Sequence, residues 1–150
     1  MPRSGNPAAS PSESLVLESQ FGAIPYRPEE VLTFAEGLFG YEKRKAFLLH
    51  RHPLYLPFMW LIDVADANLM FPIIQAADLS SDYHPEIPDA GPQEACYVIV
   101  AIGDETEGVT ANLRAPVLIS TAEKRGRQVI LTDSNYPLRF HLVQQKKAGE

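Results

Sequence analysis

The sequence predicts an all-β fold: a small closed or partly closed β-barrel-like single domain with long connections. Three observations carry that prediction. The apolar runs are short and broken by turn residues at intervals near those of an all-β domain. No window of 11 or more residues keeps a 3.6-residue hydrophobic period (about the shortest that identifies an amphipathic helix). Thirteen prolines among 150 residues further disfavour long helices.

Residues 1–13 are rich in Pro, Ser, Gly and Ala and read as a disordered tail. The barrel domain is expected over 14–144, and 145–150 as a frayed polar tail. Strands are expected near Leu15 to Gln20, Val31 to Phe34, Phe47 to His50, Met59 to Val64 and Leu69 to Gln75. Further strands fall near Ala95 to Ile102, Val109 to Asn112, Val117 to Ser120 and Gln128 to Thr132. Several are rich in Val, Ile and aromatic residues, which suit a pleated surface. Cys96 to Ile102 is apolar throughout, so it reads as a central strand covered on both faces. Tyr41 to Ala46 reads as a helical turn, and Lys124, Arg125 and Arg127 around Gly126 as a hairpin tip. Pro72 and Pro116 belong on edges or bulges, where a missing N–H costs least.

Composition narrows the function. Hydrophobic residues make up 45% and charged residues 21%, an ordinary globular balance. A net charge of −6 argues against a general nucleic-acid binder. From His52 to Leu113 there is no Lys or Arg, yet that stretch carries ten acids, among them Asp63, Asp66, Asp104, Glu105 and Glu107. Such a segment either makes a negative face that steers a basic partner or scatters solvating charges over loops. The single cysteine, Cys96, excludes an intramolecular disulfide and multi-cysteine metal sites. No apolar run reaches the roughly 18 residues of a membrane span, and the opening residues lack the apolar core of a secretion signal. The expected location is therefore the cytoplasm.

Catalytic constellations are missing. No nucleophile elbow or phosphate loop is present, and Cys96 lies in the most apolar run, where burial makes a thiol inert. Asp104, Glu105 and Glu107 sit in a Gly103 to Gly108 turn that reads as a solvated hairpin. His50 and His52 are two apart and would share a strand face, as in a cupin-like metal site, with His84 and His141 as distant candidates. A small metal-dependent barrel enzyme or ligand binder is thus the alternative reading. Otherwise the sequence does not read as an enzyme, and no catalytic residue, metal or cofactor is expected.

Four segments are more particular: Leu32 to Glu42 with its Glu36-Gly37-Leu38-Phe39-Gly40-Tyr41 core, Pro57 to Val64 around Trp60, Val109 to Ile119 with Asn112-Leu113-Arg114-Ala115-Pro116, and Gly126 to Arg139. In this order they resemble the bacterial flagellar assembly factor FliW family, from about Leu15 to Arg139. The family usually has proline where this chain has Ala35 and Phe39, its 78–94 connection is often longer, and the N-terminal extension is unusual. The resemblance implies a non-enzymatic β-barrel that binds the translational repressor CsrA and relieves silencing of flagellin mRNA. It also implies binding to flagellin, the two partners exchanging, with no direct nucleic-acid contact and no membrane. Candidate partner-binding residues are Glu36, Leu38, Phe39, Tyr41, Asp63, Asp66, Asp104, Glu105, Glu107, Asn112 and Arg114. Leu38, Phe39 and Tyr41 are either exposed anchors or a loop folded onto the barrel. Trp60 reads as core, and Asn112 as a residue capping a bulge.

Overall fold

A computed structural model describes residues 14–79, 82–87, 89–103, 108–132 and 134–142. It contains eleven strands: β1 (Leu15–Ser19), β2 (Gly22–Tyr26), β3 (Leu32–Thr33), β4 (Ala46–Arg51), β5 (Phe58–Asp63), β6 (Met70–Gln75), β7 (Ala95–Ile102), β8 (Val109–Ala111), β9 (Val117–Ser120), β10 (Arg125–Gln128) and β11 (Phe140–His141). One helical turn, α1 (Ala76–Leu79), follows β6. The expected tails lie outside the described residues.

Seven strands close a barrel in the order β3-β4-β5-β6-β7-β9-β10, with β10 returning to β3. Every junction is antiparallel except the parallel β10–β3 contact, where Arg125 sits opposite Thr33. The eight-residue β7 makes closure possible. Its first residues, Ala95–Tyr97, pair with β9, and Tyr97–Ile99 pair with β6. Its last, Val100–Ile102, leave the barrel to pair with β8, which carries β11 on its far edge.

Alternation along these strands sends one set of side chains inward and the other outward. The inward set, including Phe34, Phe47, Leu61, Ile73, Val117 and Ile119, fills the barrel. Full burial of such a side chain is worth about 1.5–3 kcal/mol. The outward set is covered too. Leu48 and Ile62 lie beneath Leu17 and Ile24 of the β1–β2 hairpin. Ile74, Val98 and Val100 lie beneath Ala76, Tyr83, Ala111 and Leu113. This two-sided cover accounts for the apolar run of β7 through Val100; Ala101 and Ile102, expected to be covered as well, run past it and are exposed.

The prolines behave as expected of edge residues. Pro72 pairs with Trp60 one residue before β6 begins pairing with β7, so no ladder bond needs its amide. Pro116 immediately precedes β9.

The structure corrects four local expectations. Gly22–Tyr26 is a strand despite Pro25, which is tolerated because its hairpin sheet has only two strands, each an edge. Arg125–Gly126–Arg127 is strand rather than hairpin tip; the turn is Thr121 to Lys124, so β10 starts three residues earlier than its sequence pattern indicates. Gly126 is in that strand because a Cβ there would enter the Phe34 ring. In place of one helical turn over Tyr41 to Ala46, residues 38–44 form two successive hydrogen-bonded turns, Tyr41 N–H to Leu38 C=O at 2.7 Å and Arg44 N–H to Tyr41 C=O at 3.1 Å, and Ala46 already belongs to β4. β11 was not legible at all, being two exposed residues.

Candidate partner-binding cleft

The glycine loop, residues 35–42, is bent twice. Gly37 has φ +68°, and a Cβ there would lie 2.6 Å from Glu42 Cα, so the position needs glycine. The bend drives Leu38 into the barrel, where it is 1% exposed. It leaves Phe39 at 48% exposed and Tyr41 at 42%. Tyr41 rests edge-on against Phe71, ring centres 5.0 Å apart.

Side chains then clamp the loop. The Phe39 N–H donates to Gln128 Oε1 at 2.8 Å, and Gln128 Nε2 donates to the Ala115 carbonyl at 3.1 Å. One glutamine of β10 therefore ties together three segments that the sequence marked separately. The Gly40 N–H donates to Glu42 Oε2 at 3.0 Å, and that bond holds the Glu42 carboxyl below the usual glutamate range, with a smaller pull from Lys45. Lys45 Nζ reaches the Ala35 carbonyl at 2.8 Å.

Beside this loop lies a cleft of about 830 Å³, walled by the glycine loop, residues 89–94 and residues 123–128. Its lining includes five acids, Glu36, Glu42, Asp89, Glu94 and Glu123, against two arginines. Both arginines are engaged. Arg127 Nε donates to Glu94 Oε2 at 2.9 Å and its Nη1 to Asp89 Oδ2 at 3.2 Å; Arg125 pairs with Glu123 at 2.6 Å. The Arg127 hydrogen bond holds the Glu94 carboxyl low, helped by the Gly91 N–H at 2.8 Å. The same carboxylates push the Arg127 pKa higher still. The uncompensated charge of the cleft is negative, and Phe39 stands exposed at its rim.

The structure sorts the other candidates. Glu36 is exposed in the cleft beside Phe39. Asp63 is 2% exposed, its Oδ2 3.1 Å from Arg44 Nη1 and its Oδ1 accepting the Ala65 N–H, so it closes a turn from the inside. Leu38 and Asp63 are thus interior residues, because the chain turns both inward. Asp66 is exposed and accepts the Asn68 N–H. Asn112 Oδ1 accepts the N–H groups of Arg114 at 3.0 Å and Ala115 at 3.1 Å, so it holds the bend that follows β8. Arg114 Nε donates to the Tyr136 carbonyl at 2.9 Å. Asp104, Glu105 and Glu107 lie outside the described residues; on either side of them the Gly103 N–H donates to the Gly108 carbonyl at 2.8 Å. Sequence reasoning missed Gln128, Asp89, Glu94 and Arg127 as parts of this surface.

The two histidines of the alternative reading sit in an aromatic patch. Phe21 lies 5.3 Å from the His50 ring and 5.6 Å from that of His52, with Tyr55 and Trp60 alongside. His52 Nδ1 accepts the Leu54 N–H at 3.2 Å. Among the described residues no three of His, Cys, Asp and Glu gather as a metal-binding group. Cys96 is pushed up to about 11 by burial, the state of an inert thiol. Among them, too, no helix is long and apolar enough to cross a membrane.

Comparison with known proteins gives the same architecture. The FliW protein family model matches residues 16–142. Flagellar assembly factor FliW of Carboxydothermus hydrogenoformans is 34% identical, the match covering 84% of this chain and 87% of that protein. That of Caldicellulosiruptor bescii is 29% identical, covering 92% and 96%. A crystal structure of the flagellar assembly factor FliW superposes with a TM-score of 0.77 at 28% identity, covering 89% of this chain and 99% of that one. With its ordered motifs explained as barrel, bend and clamp, this chain belongs to the FliW family of flagellar assembly factors.

Proposed function

We propose that this protein is a non-enzymatic regulator in the cytoplasm that binds CsrA and flagellin in exchange, coupling flagellin synthesis to flagellum assembly. The observation that carries the reading is the acid-lined cleft with exposed Phe39 beside it. An RNA-binding repressor is basic, and negative potential both speeds its encounter and disfavours wrong partners. An exposed aromatic residue supplies the apolar anchor that charges alone do not. Glu36, Phe39 and Tyr41 are the contact residues in this reading; Asp66, Asp104, Glu105 and Glu107 add to the field. Family membership supports the same partners. The binding unit is the 14–144 domain, with 1–13 and 145–150 as tails, and it needs no cofactor.

The test is calorimetric titration of the full chain into CsrA at two salt concentrations, then with flagellin present. Binding that weakens with salt and is displaced by flagellin is the expected result. Binding to flagellin alone would reduce the protein to a flagellin chaperone, and silence with both would overturn the reading.

A further inference from the structure

We propose that the exposed edge just past β10, residues 128–132, takes up an extended, lysine- or arginine-bearing protein segment by strand addition. The inference rests on the reading above that the partner is basic. β10 pairs with β9 along its whole length, and the same register runs on beyond it. The Val129 N–H donates to the Pro116 carbonyl at 3.0 Å and the Leu131 N–H to the Arg114 carbonyl at 2.8 Å. Backbone groups in an extended strand alternate between its two edges. The amides of Gln128 and Ile130 therefore face away from that ladder. On their side β10 pairs with β3 only at Arg125 and Thr33, where β3 ends. Among the described residues nothing bonds the Ile130 backbone, and Ile130 is 51% exposed. A strand edge with unpaired N–H and C=O groups is a template for another strand.

Charge selects the occupant. Along this edge runs a second cleft, of about 590 Å³, with His84, Glu86, Ile87 and Asp89 facing residues 129–132. Asp89 also lines the acid-rich cleft, so the two adjoin. Among the described residues no Lys or Arg lines the second cleft, and both arginines of the first are paired to carboxylates. An incoming strand that alternates basic and apolar residues would meet both the carboxylates and the apolar surface of Ile87 and Tyr136 that line this cleft.

The probe is an eight-residue peptide of alternating lysine and valine, compared with its fully N-methylated counterpart and a glutamate–valine peptide. Binding to the full chain is read by fluorescence anisotropy at low salt. The lysine peptide should bind, N-methylation should weaken it at least tenfold, and the glutamate peptide should not bind. Ile130→Pro removes an amide hydrogen that the fold does not use, and should weaken binding at least tenfold; Ile130→Ala keeps that amide and should bind within twofold. Equal binding by the N-methylated and parent peptides would overturn the proposal whatever the variant does. So would equal binding by a folded Ile130→Pro protein, or failure of the lysine peptide to bind. The same variants against CsrA separate the two readings. CsrA binding unchanged in Ile130→Pro overturns the edge as the docking route and leaves CsrA recognition standing. An unmodified chain that ignores CsrA removes that partner, while the peptide result still decides the edge.

Discussion

The acid-lined cleft and the aromatic patch both lie outside the barrel core, but they are held by opposite means. In the cleft, directional bonds hold the backbone: Gln128 clamps Phe39 and Ala115, Glu42 holds Gly40, and Glu94 holds Gly91 and Arg127. In the patch, Phe21 packs against the rings of His50, His52, Tyr55 and Trp60 at 5.1–6.0 Å. Two buried polar atoms there, His50 Nε2 and Trp60 Nε1, have no hydrogen-bond partner among the described residues. A surface built on polar clamps keeps a fixed shape and responds to loss of a single hydrogen bond. A surface built on ring packing responds to lost area and to any charge placed among the rings.

The sharpest way to break the comparison is from beneath the cleft. Gly126→Val would force Phe34 out of a fully packed interior, and should destabilise the protein by about 3 kcal/mol in chemical denaturation. Residues 125–128 form one wall of the cleft, so that surface should distort with it. Trp60 is the only tryptophan and belongs to the patch, so its emission in the folded variant should stay unchanged. An unaltered denaturation midpoint would refute the packing of Gly126 on Phe34.

Phe21→Ala attacks the other region. Phe21 is half-buried and touches four rings, so the loss should be about 2 kcal/mol, below that of a fully buried phenylalanine. Here the Trp60 emission should move to the red while the cleft keeps its binding behaviour. Emission that does not move would mean that the hairpin does not shield the indole.

The two regions were also unequally legible in the sequence. β9, and β7 through Val100, stood out because both faces are covered, which writes an apolar run into the chain. β2 was hidden by Gly22 and Pro25, both acceptable at an edge. β10 was read late because two exposed or half-exposed arginines flank a glycine, and the reason for that glycine, the Phe34 ring, lies about ninety residues upstream. Polarity marked Asp63 as surface and the loop pattern marked Leu38 as an anchor, but side-chain direction depends on how the turns close. Gln128 lay within a recognised motif, yet its role as a clamp needs contacts to residues 89 and 13 positions away. Local pattern reveals elements; clamps between motifs come only from the closed barrel.

Removing the clamp has a smaller, directed effect. Gln128→Leu leaves the Phe39 N–H without its acceptor and the Ala115 carbonyl without that donor, and should cost about 1–2 kcal/mol. Hydrogen exchange should quicken at Phe39 while the amides of β4 and β5 stay protected. Uniform loss of protection would mean that the clamp supports the whole barrel instead of the loop.

The smallest effect, and the finest separation, is with pH. Burial, aided by the neighbouring His52, lowers the His50 pKa below 6.5. The unfolded chain then binds more protons than the folded one, so this contribution is present above pH 6.5 and is lost as pH falls through the lower folded value. Glu94 is also lowered, chiefly by Arg127, from a reference of 4.5, so its contribution is present above pH 4.5 and fades only below that. Acidification from pH 7 should therefore weaken the patch first and the cleft later. Stability and Trp60 emission followed between pH 7 and 5 should show the first step, and His50→Gln should remove it. Protection of the Gly91 amide, whose N–H is held by Glu94, taken relative to its intrinsic exchange rate at each pH, should persist through that window and fall only in stronger acid. If Gly91 loosens together with Trp60, the two regions share one titration and the distinction between clamp and packing fails.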